Sequence, residues 1–362
     1  MKTLPTICFL TGTLNAFAGA ERMTAVIANA LAERGYPVLI LSLWDERSCF
    51  ALHPAVRHHA LFAQRPSFKR AYLATVSGIR RFVRRHGIDV LIDVDTMLTL
   101  FTLPATLGLN VRRIAWEHCH FDEDLGKPAR RIARRLAARF DDAVVVLTER
   151  DRQRWLTALA PRCRVEAIPN PLPFPFPEVP ASRDSKTVLA VGRLVHAKGF
   201  DVLLNAWAWV APRHPDWRLE IVGEGEERQA LEISARNLGI ESSVSMLGIS
   251  ASIDQCYKNA AIFCLSSRYE GFGLVLLEAM AFALPVVSTN CKVGPRELLC
   301  SNDDSLVVPV NDNLALASAL SHLITDHDDG NRLGRAARKK AETYSLIRIA
   351  GQWEFILRPG RL

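Results

Sequence analysis

The stretch KTVLAVGRLVHAKGFDVLLNAWAWV, residues 186–210, reads as one strand, one loop and one helix. The run from Thr187 to Val191 is apolar without alternation, which suits a strand covered on both faces, and such strands belong to parallel sheets crossed over by helices. Gly192 ends the strand, Arg193 and Lys198 fall in the loop, and the helix begins near Gly199.

The same order recurs on both sides. Downstream, WRLEIVGEG, VSMLG, AIFCLSS and PVVST read as strands, separated by helical patterns such as ERQALEISARNLG and GLVLLEAMAFA. Upstream, TICFLTG, YPVLILSLW, IDVLIDVD, RRIAWEH and DAVVVLTE read as strands, with AERMTAVIANALAERG, SGIRRFVRRHG and KPARRIARRLAARF as helices between them. Between the two series lies IPNPLPFPFPEVP, with six prolines in thirteen residues. Proline continues neither a helix nor a central strand, so this is a linker. The 362 residues suit two domains of roughly 170 residues each. The expected architecture is α/β, with two doubly wound, Rossmann-like domains facing each other across a cleft. The first is expected over 1–172, the linker over 173–185 and the second over 186–345, with a last helix over about 346–362 packing back on the first domain.

Ligands of open α/β sheets bind beyond the carboxyl ends of the strands, so the loops after strands are the places to look. Arg193 and Lys198 beside a helix N-terminus suit a diphosphate. In SSRYEGFGLVLLEAMA, residues 266–281, Gly271 and Gly273 permit close backbone approach before a helix, and Glu270 stands in the loop. Glu278 is expected two turns into that helix, between VLL and AMA, where a carboxylate is expensive without partners. A carboxylate there suits ribose hydroxyls. In IAWEHCHF, His118 follows a strand and His120 rivals it for a sugar- or phosphate-contacting role. Gly12 and Gly19 bracket a loop before the first helix, a plausible anion or acceptor site.

GRLVHAKGFD, VGEGEERQAL, YEGFGLVLLEAMAFALPVVST and GPREL together resemble glycosyltransferase family 4, retaining enzymes of the GT-B fold. The resemblance is strongest over residues 186–300. GAER and WEH look like pieces of bacterial enzymes that build lipopolysaccharide and exopolysaccharide. The resemblance implies that Gly192, Arg193 and Lys198 hold the donor diphosphate and that Glu278 holds the ribose. It places Glu270 and the stretch Gly271, Phe272, Gly273 and Leu274 at the donor sugar and phosphate, and His118 near the reacting sugar. The family's paired glycines of the first loop stand here as Ala18-Gly19, which keeps Gly19 as the backbone contact. The implied donor is a nucleoside-diphosphate sugar with UDP as nucleotide, the acceptor a glycan or glycolipid, and no cofactor or metal is required. The Asp-Val-Asp string at 93–95 lies outside the donor signature.

A sugar-nucleotide epimerase on the same fold and a catalytically silent sugar-nucleotide binder remain as alternatives. A dinucleotide oxidoreductase is disfavoured, because no G-x-G-x-x-G follows the first strand. Nucleic acid is not an expected partner, because aromatic interleaving and a known binding module are both lacking. The eight cysteines show no C-x-x-C pair, so buried free thiols and a cytoplasmic setting are expected. The first twenty residues have signal-peptide features, Lys2 among them, but Pro5, Thr11, Gly12, Thr13 and Asn15 interrupt the apolar stretch and favour a strand and loop. No apolar run approaches the length of a membrane span.

The charge is uneven. Residues 1–175 carry 25 basic and 16 acidic side chains, a net of +9, and residues 176–362 carry 20 and 22, a net of −2, which together give the chain's +7. In the 128–140 segment Ile132, Leu136 and Phe140 form an apolar stripe beside Arg130, Arg131, Arg134 and Arg135. Such a helix could lie on an anionic leaflet, making a membrane surface a possible partner. The alternative is that the stripe packs on the sheet and all four arginines are solvated.

Overall fold

The computed structural model describes residues 4–124, 126–250, 252–291 and 294–358; Lys2 and the last four residues of the expected C-terminal helix lie outside them. The chain divides into two units, residues 1–173 with 346–362, and residues 174–345.

The first unit is built on a seven-stranded parallel sheet. Its strands are β1 (Ile7–Thr11), β2 (Val38–Trp44), β3 (Arg57–Phe62), β4 (Val90–Val94), β5 (Arg112–Trp116), β6 (Ala143–Val146) and β7 (Arg164–Ala167). Their spatial order is β3-β2-β1-β4-β5-β6-β7. Within the segment that resembles a signal peptide, Ile7–Thr11 forms β1, the buried strand at the switch point of this sheet. The apolar runs at β1 and β6 are buried along their whole length, as is β4, where Asp93 interrupts the apolar residues. The edge strands β3 and β7 are only partly covered.

The helix Leu346–Leu357 belongs to this unit. Trp353 is fully buried, with its ring 4.8 Å from Trp116 and 6.5 Å from Phe9. Truncating such a side chain costs roughly 3–5 kcal/mol. The Arg112 guanidinium donates to the carbonyls of Ile356 (3.0 Å) and Leu357 (2.8 Å), groups a helix C-terminus leaves unpaired.

The second unit carries a six-stranded parallel sheet: β8 (Thr187–Val191), β9 (Arg218–Val222), β10 (Val244–Gly248), β11 (Ile262–Leu265), β12 (Val286–Thr289) and β13 (Leu306–Val308), in the order β10-β9-β8-β11-β12-β13. Its core joins the buried faces of β8 and β9 to the helices Phe200–Val210 and Asn313–Thr325 through Trp207, Leu219, Leu320 and their neighbours. In each sheet the order reverses once, between β1 and β4 and between β8 and β11. Helices leave to opposite faces there, and a crevice opens at the strand ends.

Three sequence expectations change. The helix after Gly273 runs Leu274–Ala281, so Glu278 stands one turn into it rather than two, because Gly273 (φ +83°) takes a left-handed conformation and delays the start. The Pro128–Phe140 helix buries Arg130, Ala133, Arg134, Ala137 and Ala138, so the reading in which its apolar stripe packs on the sheet does not hold: the stripe is not the buried side, and two of the four arginines are not solvated. All eight cysteines are free, but only Cys8, Cys264 and Cys291 are buried and Cys300 is exposed.

Candidate functional site

The loops at the β8/β11 reversal are pressed together by glycine. A Cβ on Gly223 (φ +147°) would stand 1.9 Å from the Gly192 carbonyl oxygen, and one on Gly199 (φ +61°) 2.3 Å from that of Ser266. These are backbone contacts that no other residue allows. The loop after β8 is tied to the loop after β9 by Leu194 N–H donating to Glu224 O (2.9 Å) and Glu227 N–H to Leu194 O (2.9 Å). It is tied to the loop after β11 by Ser266 Oγ donating to Lys198 O (2.9 Å) and Arg268 N–H to Ala197 O (2.8 Å). Arg268 also grips Asp201 through both carboxylate oxygens, at 2.8 and 2.6 Å.

Within this frame Lys198 Nζ lies 2.6 Å from Glu270 Oε1, and Ser267 Oγ donates to the same oxygen at 2.7 Å. Both ends of the ion pair are largely shielded from solvent. Arg193 is exposed and has no side-chain hydrogen bond or ion pair among the described residues. The loop after β8 thus carries Arg193, unpaired among the described residues, and, five positions on, an ammonium paired with Glu270 of the loop after β11. Phe272 is buried against Tyr344, with ring centroids 6.1 Å apart. Gly294 (φ +79°) brings the loop after β12 against the Phe272 backbone, where a Cβ would come within 3.0 Å.

Glu278 is 1% exposed and accepts a hydrogen bond from Tyr257 Oη at 2.8 Å. An ionised carboxylate in an apolar helix needs such partners. Sequence reasoning missed Tyr257, because a tyrosine in DQCYKNA has no local mark of its distant partner. It also missed Ser267, whose only signal was its place beside Glu270 in SSRYEG. Gly192, Arg193, Lys198, Gly271, Phe272, Gly273, Leu274, Glu270 and Glu278 all fall in the second unit, in the loops after β8 and β11 or the helix that follows.

His118 and Gly19 belong to the first unit. Gly19 opens the helix Gly19–Glu33, and a Cβ there would meet nothing within 4 Å. The preceding Ala18 is extended and provides no side-chain cap. His118 stands with its ring 4.4 Å from Trp116, and its enclosed Nε2 has no partner among the described residues. Burial pushes its pKa down to about 4, with nearby Asp95 opposing, so the imidazole is neutral at physiological pH. His120 is engaged by the protein: Asp122 N–H donates to Nδ1 at 3.1 Å, and Nε2 lies 3.5 Å from Asp151. The unpaired nitrogen favours His118 of the two.

The loop carrying both histidines rests on a buried charge cluster absent from the sequence expectations. Glu117 accepts from Thr96 Oγ1 (2.6 Å), Cys119 N–H (3.0 Å), Arg130 (3.1 Å) and Arg134 (2.9 Å). Arg130 also clasps both oxygens of Asp95 at 2.8 Å. Arg134 donates to the backbone carbonyls of His120, Phe121 and Glu123. The carboxylates of the 93–95 string are used internally. Asp95 holds Arg130, and Asp93 accepts from Thr102 at 2.5 Å, with burial raising its pKa.

Residues 17–174 match the family model described as Glycosyltransferase Family 4, and residues 175–340 match that of Glycosyl transferases group 1. The chain is 32% identical to an uncharacterized glycosyltransferase of Haemophilus influenzae, over 97% of this chain and 99% of the relative. It is 29% identical to a Campylobacter jejuni enzyme, over 96% of each. That enzyme is named as an α-1,4-N-acetyl-D-galactosaminyltransferase acting on a diphospho-undecaprenol-linked glycan. The fold of this chain is similar to that of Anabaena HepE solved with UDP-glucose, with a TM-score of 0.81 at 21% identity, covering 98% of this chain and 99% of that one.

Proposed function

Because the chain belongs to glycosyltransferase family 4, and so is a glycosyltransferase of the GT-B fold, we propose that it is a retaining enzyme that moves a hexose or N-acetylhexosamine from a UDP-sugar to a growing lipopolysaccharide, exopolysaccharide or lipid-linked glycan. One observation carries the reading: a nearly fully buried Glu278 follows, within one short helix, the loop whose Glu270 pairs with Lys198, and Lys198 shares the loop after β8 with Arg193, which is exposed and unpaired among the described residues. That set matches what a nucleoside diphosphate presents, which is two anionic phosphates and a diol.

In this reading Arg193 and Lys198 take the diphosphate, and backbone N–H groups of the 271–274 stretch add to them. Cleavage of the anomeric C–O bond puts negative charge on the leaving diphosphate and oxocarbenium character on the sugar. Fixed cations stabilise that charge more in the transition state than in the ground state. Glu278 accepts from the ribose hydroxyls, and Glu270 faces the sugar. His118, being neutral, offers a hydrogen bond rather than a positive charge. No metal enters any of these roles. The leaving phosphate accepts the acceptor's proton on the face from which it departs, which leaves the configuration retained. The C. jejuni relative's named acceptor supports a lipid-linked glycan as acceptor class.

The test is a screen of UDP-sugars and glycan acceptors, with the anomeric configuration of fresh product read by NMR. An α linkage from an α-linked donor is expected. A β product rejects the retaining mechanism, and donor turnover without any acceptor-dependent product rejects the transferase reading.

A further inference from the structure

The Pro128–Phe140 helix is turned against the usual rule. Its inward face is two arginines and three alanines, and its outward face holds Ile132 (54% exposed) and Phe140 (48% exposed), with Leu136 half-buried between them. The cause lies outside the helix: Glu117 and Asp95 claim Arg130 and Arg134 and draw that face inward. At four-residue spacing, Arg131, Arg135 and Arg139 form a second outward row beside the apolar one. Arg139 lies over the Phe140 ring at 5.0 Å, and Arg131 pairs with Asp124 while staying mostly exposed.

The apolar row is continuous with a groove. A cavity of about 520 Å³ is lined by Leu100, Leu103, Pro104, Leu107, Leu136 and Phe140. Tyr72 closes one side, its hydroxyl donating to Leu100 O at 2.8 Å. Leu107 on this rim is 64% exposed. Apolar side chains gathered in this way are a cost in water, and a row of arginines beside them points to an anionic surface over an apolar interior.

We propose that the first unit docks on an anionic phospholipid leaflet through the outer face of the Pro128–Phe140 helix. Ile132, Leu136 and Phe140 enter the acyl boundary, and Arg131, Arg135 and Arg139 meet the lipid phosphates. The arginine stems lie along the apolar surface while their heads stay at the phosphates. The net charge of +9 over residues 1–175 has the sign that draws this half of the chain toward such a leaflet. The inference does not rest on the donor chemistry, because it concerns a face that none of the donor residues share.

Co-sedimentation of the full chain with vesicles of phosphatidylglycerol and phosphatidylcholine, against phosphatidylcholine alone, tests it. Binding should require phosphatidylglycerol and fall as salt rises. Each of Arg131→Gln, Arg135→Gln and Arg139→Gln should lower the partition coefficient roughly fivefold. Ile132→Ser with Phe140→Ser should lower it further at unchanged melting temperature and circular dichroism. Indifference to anionic vesicles at low salt overturns the proposal, as does undiminished binding by both variant sets. Light scattering that shows a dimer lost in the Phe140→Ser variant, without lipid binding, would assign the face to a second copy and overturn it as well.

Discussion

Lys198 and Glu270, 72 positions apart in sequence, meet at 2.6 Å across the point where the strand order of the second sheet reverses. One comes from the loop after β8 and the other from the loop after β11, so their contact depends on those strands being neighbours. For the diphosphate of the proposed donor, the pair has two consequences. It fixes the ammonium at the strand ends in advance, which lowers the ordering cost of binding. It also sets a carboxylate beside the anion, so Arg193 carries the uncompensated positive charge of the loop.

Replacing Arg193 with Ala should therefore weaken UDP binding more than replacing Lys198 with Ala, since the second change also releases Glu270. Turnover should fall about 10²–10³-fold in either variant if the cations act on the developing charge. Calorimetric titration with UDP and steady-state kinetics measure the two effects separately. Wild-type affinity and rate in both variants would remove these residues from the donor site.

A prediction at Glu278 separates its bond to Tyr257 from its proposed hold on the ribose. Glu278→Ala should weaken the UDP-sugar and leave a 2′,3′-dideoxy analogue nearly unaffected, because the analogue lacks the hydroxyls the carboxylate accepts. Glu278→Gln keeps an acceptor for Tyr257 Oη and should fold with a melting temperature close to the parent, while still losing donor affinity. If the analogue loses as much affinity as the natural donor, the ribose lies elsewhere.

The pH behaviour of His118 follows from its burial. The unfolded chain protonates this imidazole near 6.5 and the folded one near 4. Between those values the unfolded state binds more protons, so this group's contribution to stability is present above pH 6.5 and is lost as the pH falls toward 4. Histidine ring signals in NMR should show one residue titrating well below the rest, absent in His118→Gln. The same variant should flatten the decline in stability over that window, measured by denaturant unfolding. A His118 midpoint near 6.5 would contradict the enclosed Nε2.

The cluster under the histidine loop should be costly to break. Glu117→Leu leaves Arg130 and Arg134 buried without their shared acceptor, and breaking a buried pair of this kind costs about 3–5 kcal/mol. Glu117→Gln retains part of the hydrogen bonding and should cost less. Urea unfolding followed by tryptophan fluorescence measures the order, and equal costs would mean that the charge is unimportant to the cluster.

Much of this protein was written locally. The parallel sheets were legible because strands covered on both faces leave uninterrupted apolar runs, as at β1, β8 and β11, and the proline-rich stretch breaks any helix or central strand. The loops proposed to hold the donor were legible because the close backbone approach at Gly199 leaves a glycine in the sequence, and a carboxylate between VLL and AMA is conspicuous. The edge strands β3 and β7 were not read, since a half-covered edge tolerates the arginines and histidines of RHHALF and RVEA. The tertiary structure alone decided which way the Pro128–Phe140 helix faces. A periodic pattern records where apolar side chains recur, but the burial of Arg130 and Arg134 was set by Glu117 and Asp95, carboxylates on other strands whose nearness no local pattern encodes.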